Sequence, residues 1–257
     1  MPCSRGSASN ASLNSVDDAQ ASSPRMTGGI ERFRHIAIEG PIGAGKTTLA
    51  RLLAGRLGAD LMLEQPAENP FLDRFYDDMP GYAFQTQLFF LFQRERQVRG
   101  MAQSSMFGQG VVSDFMFAKD AVFAKLTLSD EEYRLYAQMH APIAAQLREP
   151  DLVIWLQARP ATLLARLRRR GIAMEQQIEL GYLERLADAY VEHFESYAGA
   201  PVFAVDAEQF NPVEREADVA ALVDRLQHFE ARRGSLVAAT DGGTCHCING
   251  RTRPEDR

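Results

Sequence analysis

A nine-residue glycine-rich segment constrains the fold of this chain more than any other feature, and it reads Gly40-Pro41-Ile42-Gly43-Ala44-Gly45-Lys46-Thr47-Thr48. It follows an apolar run at residues 35–39 and precedes a helical pattern at residues 46–57. Glycines permit backbone angles at which successive N–H groups point at one phosphate chain, and a helix start adds further N–H groups. The lysine brings positive charge to the outermost phosphate, and the Thr47 hydroxyl suits Mg²⁺. The segment therefore predicts a triphosphate site for ATP and Mg²⁺.

Short apolar runs alternate with longer helical patterns along the rest of the chain. The predicted strands are residues 35–39, 59–64, 110–114, 151–157 and 201–206. The predicted helices are residues 46–57, 82–107, 130–148, 161–170, 174–197 and 212–231. This alternation is typical of a parallel sheet covered on both faces. We therefore expect an α/β fold of the P-loop NTPase class, with five buried strands in the order 2-3-1-4-5.

Three residues mark predicted helix starts. Ser129 precedes the acidic run at residues 130–132, which is the pattern of an N-cap followed by acids in the first turn. Pro160 and Pro212 suit first-turn positions, where the missing N–H of proline costs nothing.

Composition indicates where the folded domain begins and ends. Residues 1–30 and 233–257 are rich in small polar residues, so we expect two disordered tails around one domain at residues 31–232. All three cysteines, Cys3, Cys245 and Cys247, fall in these tails, which fits a reducing, cytoplasmic location. With His246 the last two form a cluster of only three ligands, which is fewer than a structural zinc site needs.

Charge and hydropathy exclude some partners. The formal net charge of −6 argues against nucleic acid, because binding a polyanion requires clustered lysine and arginine. The longest apolar runs stay below the roughly 18 residues that span a bilayer, and the N-terminal segment lacks a signal sequence's apolar core. We therefore expect no membrane association and no secretion.

The phosphate loop occurs in GTPases, motors and small-molecule kinases, so other residues must separate these classes. The chain has only three lysines, Lys46, Lys119 and Lys125, and none stands in the Asn-Lys-x-Asp setting that reads guanine in GTPases. A motor that acts on a polymer would normally be larger. A single-domain kinase with a small acceptor remains, and it needs a base, a metal-holding acid and a basic lid.

Candidates for each role stand at the ends of predicted elements. Glu64 ends the second predicted strand, where a carboxylate can accept the proton of an attacking hydroxyl; the alternative is a surface acid. Asp114 ends the third, where it can hold Mg²⁺, or else cap the following turn. Arg166 and Arg170 belong to a cluster before Gly171 that suits a phosphate-clamping lid, although such a cluster is often only a solvated helix face.

Three further motifs resemble the deoxynucleoside kinase family, over roughly residues 34–229. The segment 64–72 with Tyr76 looks like the stretch that begins with the family's catalytic glutamate, and is closest to bacterial purine-specific members. Gln87 and Arg94 keep the seven-residue spacing of its base-reading helix. The lid pattern runs from Arg170-Gly171 to Glu175.

The resemblance implies a function and a role for each residue. Glu64 would take the proton of a deoxynucleoside 5′-hydroxyl, Tyr76 and Glu175 would hold the 3′-hydroxyl, and Gln87 with Arg94 would read the base. Arg166 and Arg170 would grip the phosphates of ATP. The family also implies a homodimer and a preference for purines.

Two departures from the family pattern remove positive charge near the phosphates. Asp114 is followed by Phe115 and Met116 where the family has Arg and Ser, and Ile172 stands where an arginine usually follows the lid glycine. We hypothesise that Lys119 replaces the missing arginine.

Two alternative functions stay open at this level. A nucleoside monophosphate kinase would need an arginine-rich acceptor site, but the acceptor region from residue 64 to 94 has only Arg74 and Arg94 as basic residues. A nucleotide-binding module with weakened catalysis is suggested by the lost arginine, although Lys46, Glu64 and Asp114 remain.

Overall fold

A computed structural model describes residues 29–104, 110–212, 215–229 and 234–238. Its centre is a single sheet in which every pairing is parallel, with the strand order β2-β3-β1-β4-β5-β6. The strands are β1 His35–Glu39, β2 Asp60–Met62, β3 Val111–Ser113, β4 Leu152–Gln157, β5 Val202–Asp206 and β6 Leu236–Ala238. The predicted order of the first five strands is confirmed.

The sheet differs from the prediction at its two edges. Strand β6 pairs with β5 and lies beyond the domain boundary predicted at residue 232. At the other edge, β2 is not buried, since Asp60 and Leu61 are exposed. An edge strand has a neighbour on one side only, so the short apolar run at residues 59–64 did not distinguish it from a central strand.

Helices cover both faces of the sheet. They are α1 Lys46–Leu57, α2 Leu72–Asp77, α3 Met79–Ser104, α4 Lys119–Thr127, α5 Asp130–Ala144, α6 Pro160–Arg170, α7 Leu180–Ser196 and α8 Glu216–Gln227. Short 3₁₀ turns occupy Ile30–Arg32, Pro66–Glu68 and Ala173–Gln177. The sequence analysis did not predict α2 and α4, because helices of six and nine residues give little periodicity.

Several predicted helix boundaries are wrong. Helix α3 begins at Met79 instead of residue 82, because Pro80 is tolerated in a first turn and Asp78 Oδ1 accepts a hydrogen bond from Gly81 N at 3.2 Å. The predicted helix 174–197 is divided into a 3₁₀ turn and α7. Pro212 is not in a first turn, since α8 begins at Glu216.

Two other predicted helix starts are confirmed. Pro160 is the first residue of α6. Ser129 forms a complete capping box with Glu132 at the start of α5.

The core lies on both sides of β1, whose five residues are all buried. Leu49 and Leu53 of α1 pack against one face, and Leu186 and Phe194 of α7 belong to the same apolar cluster. Among the described residues, no helix combines the length and the apolar character that crossing a membrane requires. The three cysteines and most of both predicted tails lie outside the described residues.

Candidate active site

Three adjacent strands bring the strongest sequence candidates to one edge of the sheet. The glycine-rich loop follows β1, Asp114 follows β3, and Glu64 lies two residues beyond the end of β2. Because β2, β3 and β1 are neighbours and parallel, their carboxyl ends meet. Asp114 joins the other two parts: its Oδ2 accepts from Thr47 Oγ1 at 2.5 Å, and its Oδ1 accepts from Glu64 N at 2.7 Å.

The glycine-rich loop has the conformation that its glycines were expected to permit. Gly40, Gly43 and Gly45 have φ angles of 146°, 83° and 102°, which side chains rarely adopt. A Cβ at Gly40 would also lie 2.4 Å from the carbonyl oxygen of Leu156. The loop therefore depends on glycine at Gly40 for both reasons.

Lys46 is folded over this loop. Its Nζ donates to the carbonyl oxygens of Gly40 at 2.8 Å and Pro41 at 3.1 Å. Burial, followed by the positive charge of Lys119, lowers the pKa of Lys46 to about 8 against the opposing effect of nearby carboxylates. The ammonium group thus lies in a site where added negative charge would be strongly favourable.

Two cations hold the carboxylate of Glu64. Oε1 accepts from Nε of Arg94 at 2.9 Å and also from its Nη2, while Oε2 accepts from Lys119 Nζ at 2.9 Å. Burial alone would raise the pKa of Glu64, but the charges of Arg94 and Lys119 outweigh it and hold the pKa well below its usual range. Glu64 is therefore ionised and fixed in direction.

A buried ion-pair chain continues behind Glu64. Nη1 of Arg94 pairs with Asp120, a carboxylate without solvent exposure, and the guanidinium carbon lies 4.6 Å from the ring centre of Phe90. Since Arg94 is engaged on both sides by carboxylates, its geometry orients Glu64. The neighbouring polar side chain on the same helix face is Gln87, which is buried; its Nε2 donates to Thr127 Oγ1 at 3.4 Å, and its Oε1 has no partner in the described structure.

Amide side chains attach the segment after β2 to helices. Gln97 of α3 donates to Leu63 O at 2.9 Å, and Gln93 donates to Gln65 O at 3.1 Å. Asn69 is buried and donates to the carbonyl oxygen of Thr86 at 3.2 Å. These bonds fix the backbone on both sides of Glu64 and help to align it with Arg94.

The arginine-rich region forms the end of α6 and the turn that follows. Gly171 ends the helix with a φ of 70°, and the chain then returns through the 3₁₀ turn Ala173–Gln177. Nε of Arg170 donates to Glu175 Oε2 at 3.0 Å, and Nη2 of Arg166 donates to the carbonyl oxygen of Ala207 at 2.6 Å. The predicted lid arginines Arg166 and Arg170 therefore both lie beside the glycine-rich loop. They do not form one solvent-exposed face of the helix.

Two cavities meet at the glycine-rich loop. The first has a volume of about 360 Å³. It is lined by the polar side chains of Lys46, Glu64, Tyr76, Gln87 and Glu175 and by a number of apolar side chains. The second, of about 310 Å³, is lined by Arg166, Arg169 and Asn211. Gly43, Gly45, Thr48 and Arg170 border both cavities. Two small molecules could therefore bind on either side of the loop and contact each other there.

Comparison with known proteins identifies the family. A model of the deoxynucleoside kinase family matches residues 36–229, which includes both cavities and nearly all of the described structure. The chain belongs to the deoxynucleoside kinase family. It is therefore a phosphotransferase with an alcohol group as acceptor.

Individual deoxynucleoside kinases show the same relationship. A deoxyguanosine kinase of Bacillus subtilis (strain 168) is 39% identical over 156 residues, which cover 60% of this chain and 75% of the relative. A deoxyadenosine kinase of Dictyostelium discoideum is 34% identical over 194 residues, covering 72% and 77% respectively. A solved structure of deoxyadenosine kinase from M. mycoides with bound dCTP has a TM-score of 0.65 and 25% identity, and covers 76% of this chain and 100% of its own.

The fold brings together nearly all the site residues that the sequence predicted for this deoxynucleoside kinase. The first cavity is bordered by Lys46, Thr47, Glu64, Tyr76, Gln87, Arg94, Asp114, Lys119, Arg170 and Glu175. Of the predicted residues outside the glycine-rich loop, Arg166 lies apart, on the second cavity. Tyr76 is enclosed there: burial, followed by the charges of Tyr182 and Glu175, raises its pKa well above the usual range.

Sequence reasoning missed two buried acids at this site. Asp120 pairs with Arg94, and Glu39 ends β1 directly before the loop. Asp120 is adjacent to Lys119 in the chain, but nothing in the local pattern indicates that it points at α3. Glu39 could have been found, because a carboxylate inside the apolar run His35-Ile36-Ala37-Ile38-Glu39 is costly unless it has bonding partners.

Proposed function

We propose that this enzyme transfers the γ-phosphate of ATP to the 5′-hydroxyl of a deoxynucleoside, with purines favoured. The observation that carries the proposal is the meeting of two cavities at the glycine-rich loop, with the Glu64 carboxylate in one of them. The acceptor would occupy the cavity that holds Glu64, and the base and ribose of ATP the cavity that holds Arg166. The phosphates would then lie on the loop, between the two substrates.

The acceptor cavity favours a neutral hydroxyl over a phosphate. Its two arginines, Arg94 and Arg170, are each engaged by a carboxylate, Glu64 and Glu175 respectively. A monophosphate acceptor would need a guanidinium group of its own. However, Arg170 also borders the second cavity and is assigned to the phosphates of ATP, and Arg94 is engaged by Glu64 and Asp120. This difference supports the deoxynucleoside over the nucleoside monophosphate kinase that remained open from sequence.

In the proposed reaction Glu64 accepts a hydrogen bond from the 5′-hydroxyl and receives its proton as that oxygen bonds to the γ-phosphorus. The bond from the γ-phosphorus to the bridging oxygen breaks in the same step, and ADP leaves with the bonding electrons. Since Arg94 and Lys119 hold the pKa of Glu64 low, the carboxylate is a weak base and its main contribution is orientation. A loose phosphoryl-transfer transition state puts little charge on the attacking oxygen early, so a weak base suffices. Lys46, Arg166 and Arg170 would neutralise charge on the phosphoryl oxygens.

Thr47 and Asp114 fit a magnesium ion. Their oxygens already meet in one hydrogen bond, and hard oxygen ligands are those that Mg²⁺ prefers. Bound there, Mg²⁺ would balance the charge of the ATP phosphates.

Other cavity residues receive roles from the same arrangement. We assign Tyr76 and Glu175 to the 3′-hydroxyl and Gln87 to the base edge, since its Oε1 is buried without a partner in the described structure. Arg94 would act on the base side while orienting Glu64. The names of the relatives, deoxyguanosine and deoxyadenosine kinases, support purine preference.

Lys119 is proposed to replace the arginine that the family carries after its strand-end acid. Its Nζ lies 2.9 Å from Glu64 Oε2, and its charge acts on Lys46. Lys119 would thus supply one positive charge to the region between the catalytic base Glu64 and the phosphates of ATP. This contact argues against a nucleotide-binding module that has lost catalysis.

The first experiment is an assay of four deoxynucleosides with ATP and Mg²⁺, measuring deoxynucleoside monophosphate formed. Deoxyguanosine or deoxyadenosine should be phosphorylated fastest. Consumption of ATP with deoxynucleoside monophosphates, and none with deoxynucleosides, would replace the proposal with the monophosphate kinase.

A second experiment tests the base. The variant Glu64→Gln should keep deoxynucleoside affinity within about threefold and lose roughly a hundredfold or more in kcat, because the amide cannot take the proton and its NH₂ group cannot accept from Arg94 or Lys119 to orient the side chain. Calorimetric titration with the best deoxynucleoside measures the first and initial rates the second. A variant with the wild-type rate would refute the assignment of Glu64.

A further inference from the structure

Glu39 is a buried carboxylate that the proposed mechanism does not use. It is the last residue of β1, stands directly before Gly40, and has no solvent-exposed surface. Burying a charge is costly unless hydrogen bonds replace the lost water. The partners of Glu39 therefore indicate what the carboxylate is retained for.

Three donors from three different parts of the molecule surround the carboxylate. Oε1 accepts from Gly40 N at 2.9 Å and from Tyr190 Oη of α7 at 2.8 Å. Oε2 accepts from Met116 N at 3.0 Å, in the loop that follows Asp114. The side chain of Glu39 thus connects the glycine-rich loop, the loop that follows Asp114, and helix α7, which follows the lid.

Each backbone partner is one bond away from a lysine of the site. The carbonyl oxygen of Gly40 accepts from Lys46 Nζ at 2.8 Å, and the carbonyl oxygen of Met116 accepts from Lys119 N at 3.3 Å, at the start of α4. The N–H and the carbonyl group of one residue are joined through its Cα, so a shift of Gly40 or Met116 would also move the lysine bonded to its carbonyl oxygen. Glu39 is therefore linked through Gly40 and Met116 to Lys46 and Lys119, the two lysines proposed to act on the transferring phosphate.

We propose that Glu39 is a positioning residue that holds the phosphate loop and the loop after Asp114 in register, so that ATP and Glu64 are aligned for transfer. The inference rests on the function proposed above. It assigns Glu39 no contact with either substrate. Its effect is exerted through Gly40 and Met116, and through Tyr190 it extends to the helix that follows the lid.

Replacing the carboxylate by an amide tests this geometry without changing the side-chain volume. In Glu39→Gln one acceptor oxygen becomes an NH₂ donor, which must face either Gly40 N or Met116 N. Tyrosine can turn its hydroxyl to accept, but a backbone N–H cannot. One of the two loops must therefore lose its bond to residue 39.

The Glu39→Gln variant should lose roughly five- to a hundredfold in kcat/KM for ATP, the range expected when a buried N–H is left unpaired. Its affinity for the best deoxynucleoside should stay within about threefold, because the base and sugar contacts are untouched. Steady-state kinetics with ATP and Mg²⁺, and calorimetric titration with the deoxynucleoside, give the two values on the full chain.

Asp151→Asn is the matched control. Asp151 accepts from Arg34 N at 2.8 Å and His35 N at 3.0 Å, at the opposite end of β1 from the site. It is therefore another carboxylate that holds backbone N–H groups of the same strand region. Its amide variant should lower the melting temperature and leave both KM values and kcat, per active site, unchanged.

Tyr190→Phe is a second variant in case Glu39→Gln does not fold. It removes the α7 bond and leaves the carboxylate, and it should lower kcat about threefold with an unchanged deoxynucleoside KM. Wild-type kinetics in the variant that folds, or a loss confined to melting temperature and active fraction as in Asp151→Asn, would overturn the inference. A wild-type enzyme that phosphorylates no deoxynucleoside would instead overturn the proposed function.

Discussion

The pKa of Lys46 is influenced in opposite directions by two neighbouring side chains, since the charge of Lys119 lowers it and the carboxylate of Glu64 raises it. Lys119 is buried, donates to Glu64 at 2.9 Å and lowers the pKa of Lys46 beyond what burial does. In the enzyme without substrate, Lys46 is therefore half deprotonated at about pH 8. Triphosphate binding requires the protonated form, because the lysine serves as a positive charge.

The pH dependence of kcat/KM should report this titration, since kcat/KM reflects ionisations of the free enzyme. We expect kcat/KM for ATP to fall as the pH rises through about 8, where Lys46 deprotonates. In Lys119→Ala the repulsion is gone, so the pKa of Lys46 rises and the falling limb moves to higher pH. Rates measured from pH 6 to 10 at saturating deoxynucleoside test the shift.

Lys119→Ala should also lower kcat/KM for the best deoxynucleoside roughly tenfold at pH 7, because one charge beside Glu64 is lost. Lys125→Ala is the control: it is on the same helix α4, but its pair with Glu192 is solvent-exposed, with side-chain exposures of 60% and 68%. An exposed pair contributes little, so this variant should behave like wild type. An unchanged kcat/KM in Lys119→Ala would contradict the proposed replacement of the family arginine.

At the scale of elements, α5 supports the two helices that carry the site. Its Tyr136 forms a cluster with Leu91 of α3 and Ala124 of α4, and those helices position Arg94 and Lys119. The helix begins with a capping box: Ser129 N donates to Glu132 Oε2 at 3.0 Å, and Glu132 N donates back to Ser129 Oγ at 3.4 Å. The cap satisfies N–H groups that the helix cannot bond internally.

Ser129→Ala should lower the free energy of unfolding by about 1 kcal/mol, because the N–H of Glu132 loses its side-chain acceptor. Ser129→Thr keeps a hydroxyl and should lose less. Urea denaturation of the three proteins measures the difference. Since the cap lies outside both cavities, kcat should stay the same, and a stability equal to wild type in Ser129→Ala would show that water replaces the cap.

At the scale of the whole molecule, the acceptor cavity is enclosed by elements that lie far apart in sequence. Met174 of the lid turn packs on the apolar cluster of Leu72, Phe75 and Phe90, and Gln177 donates to Asp77 of α2. The lid is thus in contact with the acceptor-binding helices in this structure. Substrate entry and product release require these contacts to separate.

Helices α3 and α5 each bear an exposed apolar side chain that would suit the homodimer implied by the family resemblance. Phe92 of α3 is 46% exposed and Leu135 of α5 is 50% exposed, and these two helices pack on each other. Phe92→Asp combined with Leu135→Asp should weaken self-association at least roughly tenfold, since charge at an interface centre is costly. Leu52→Asp, at a 39% exposed leucine on α1, is the control. If sedimentation velocity shows that the wild-type protein is a monomer, the homodimer implied by the family resemblance is wrong for this chain.

Several parts of this enzyme could be predicted because they depend on local sequence pattern. The glycine-rich loop needs Gly40 at a φ of 146°. The loop together with the alternation of apolar runs and helices indicated a P-loop NTPase sheet, whose strand order was then expected. Glu64 and Asp114 were predicted at one sheet edge because parallel strands place their carboxyl ends together. Family motifs added Tyr76 and Glu175.

The pairing of charged side chains could not be predicted, because it depends on contacts between distant parts of the chain. Glu64 is 55 residues from Lys119 and 30 from Arg94, and the bond from Tyr190 to Glu39 spans 151. Such contacts depend on how helices pack on the sheet. The periodicity of a helix predicts which of its faces is buried, but not which element packs against that face. For the same reason β2 could not be recognised as an exposed edge strand, nor α4 as the support for Lys119: both outcomes depend on neighbours that are distant in the chain.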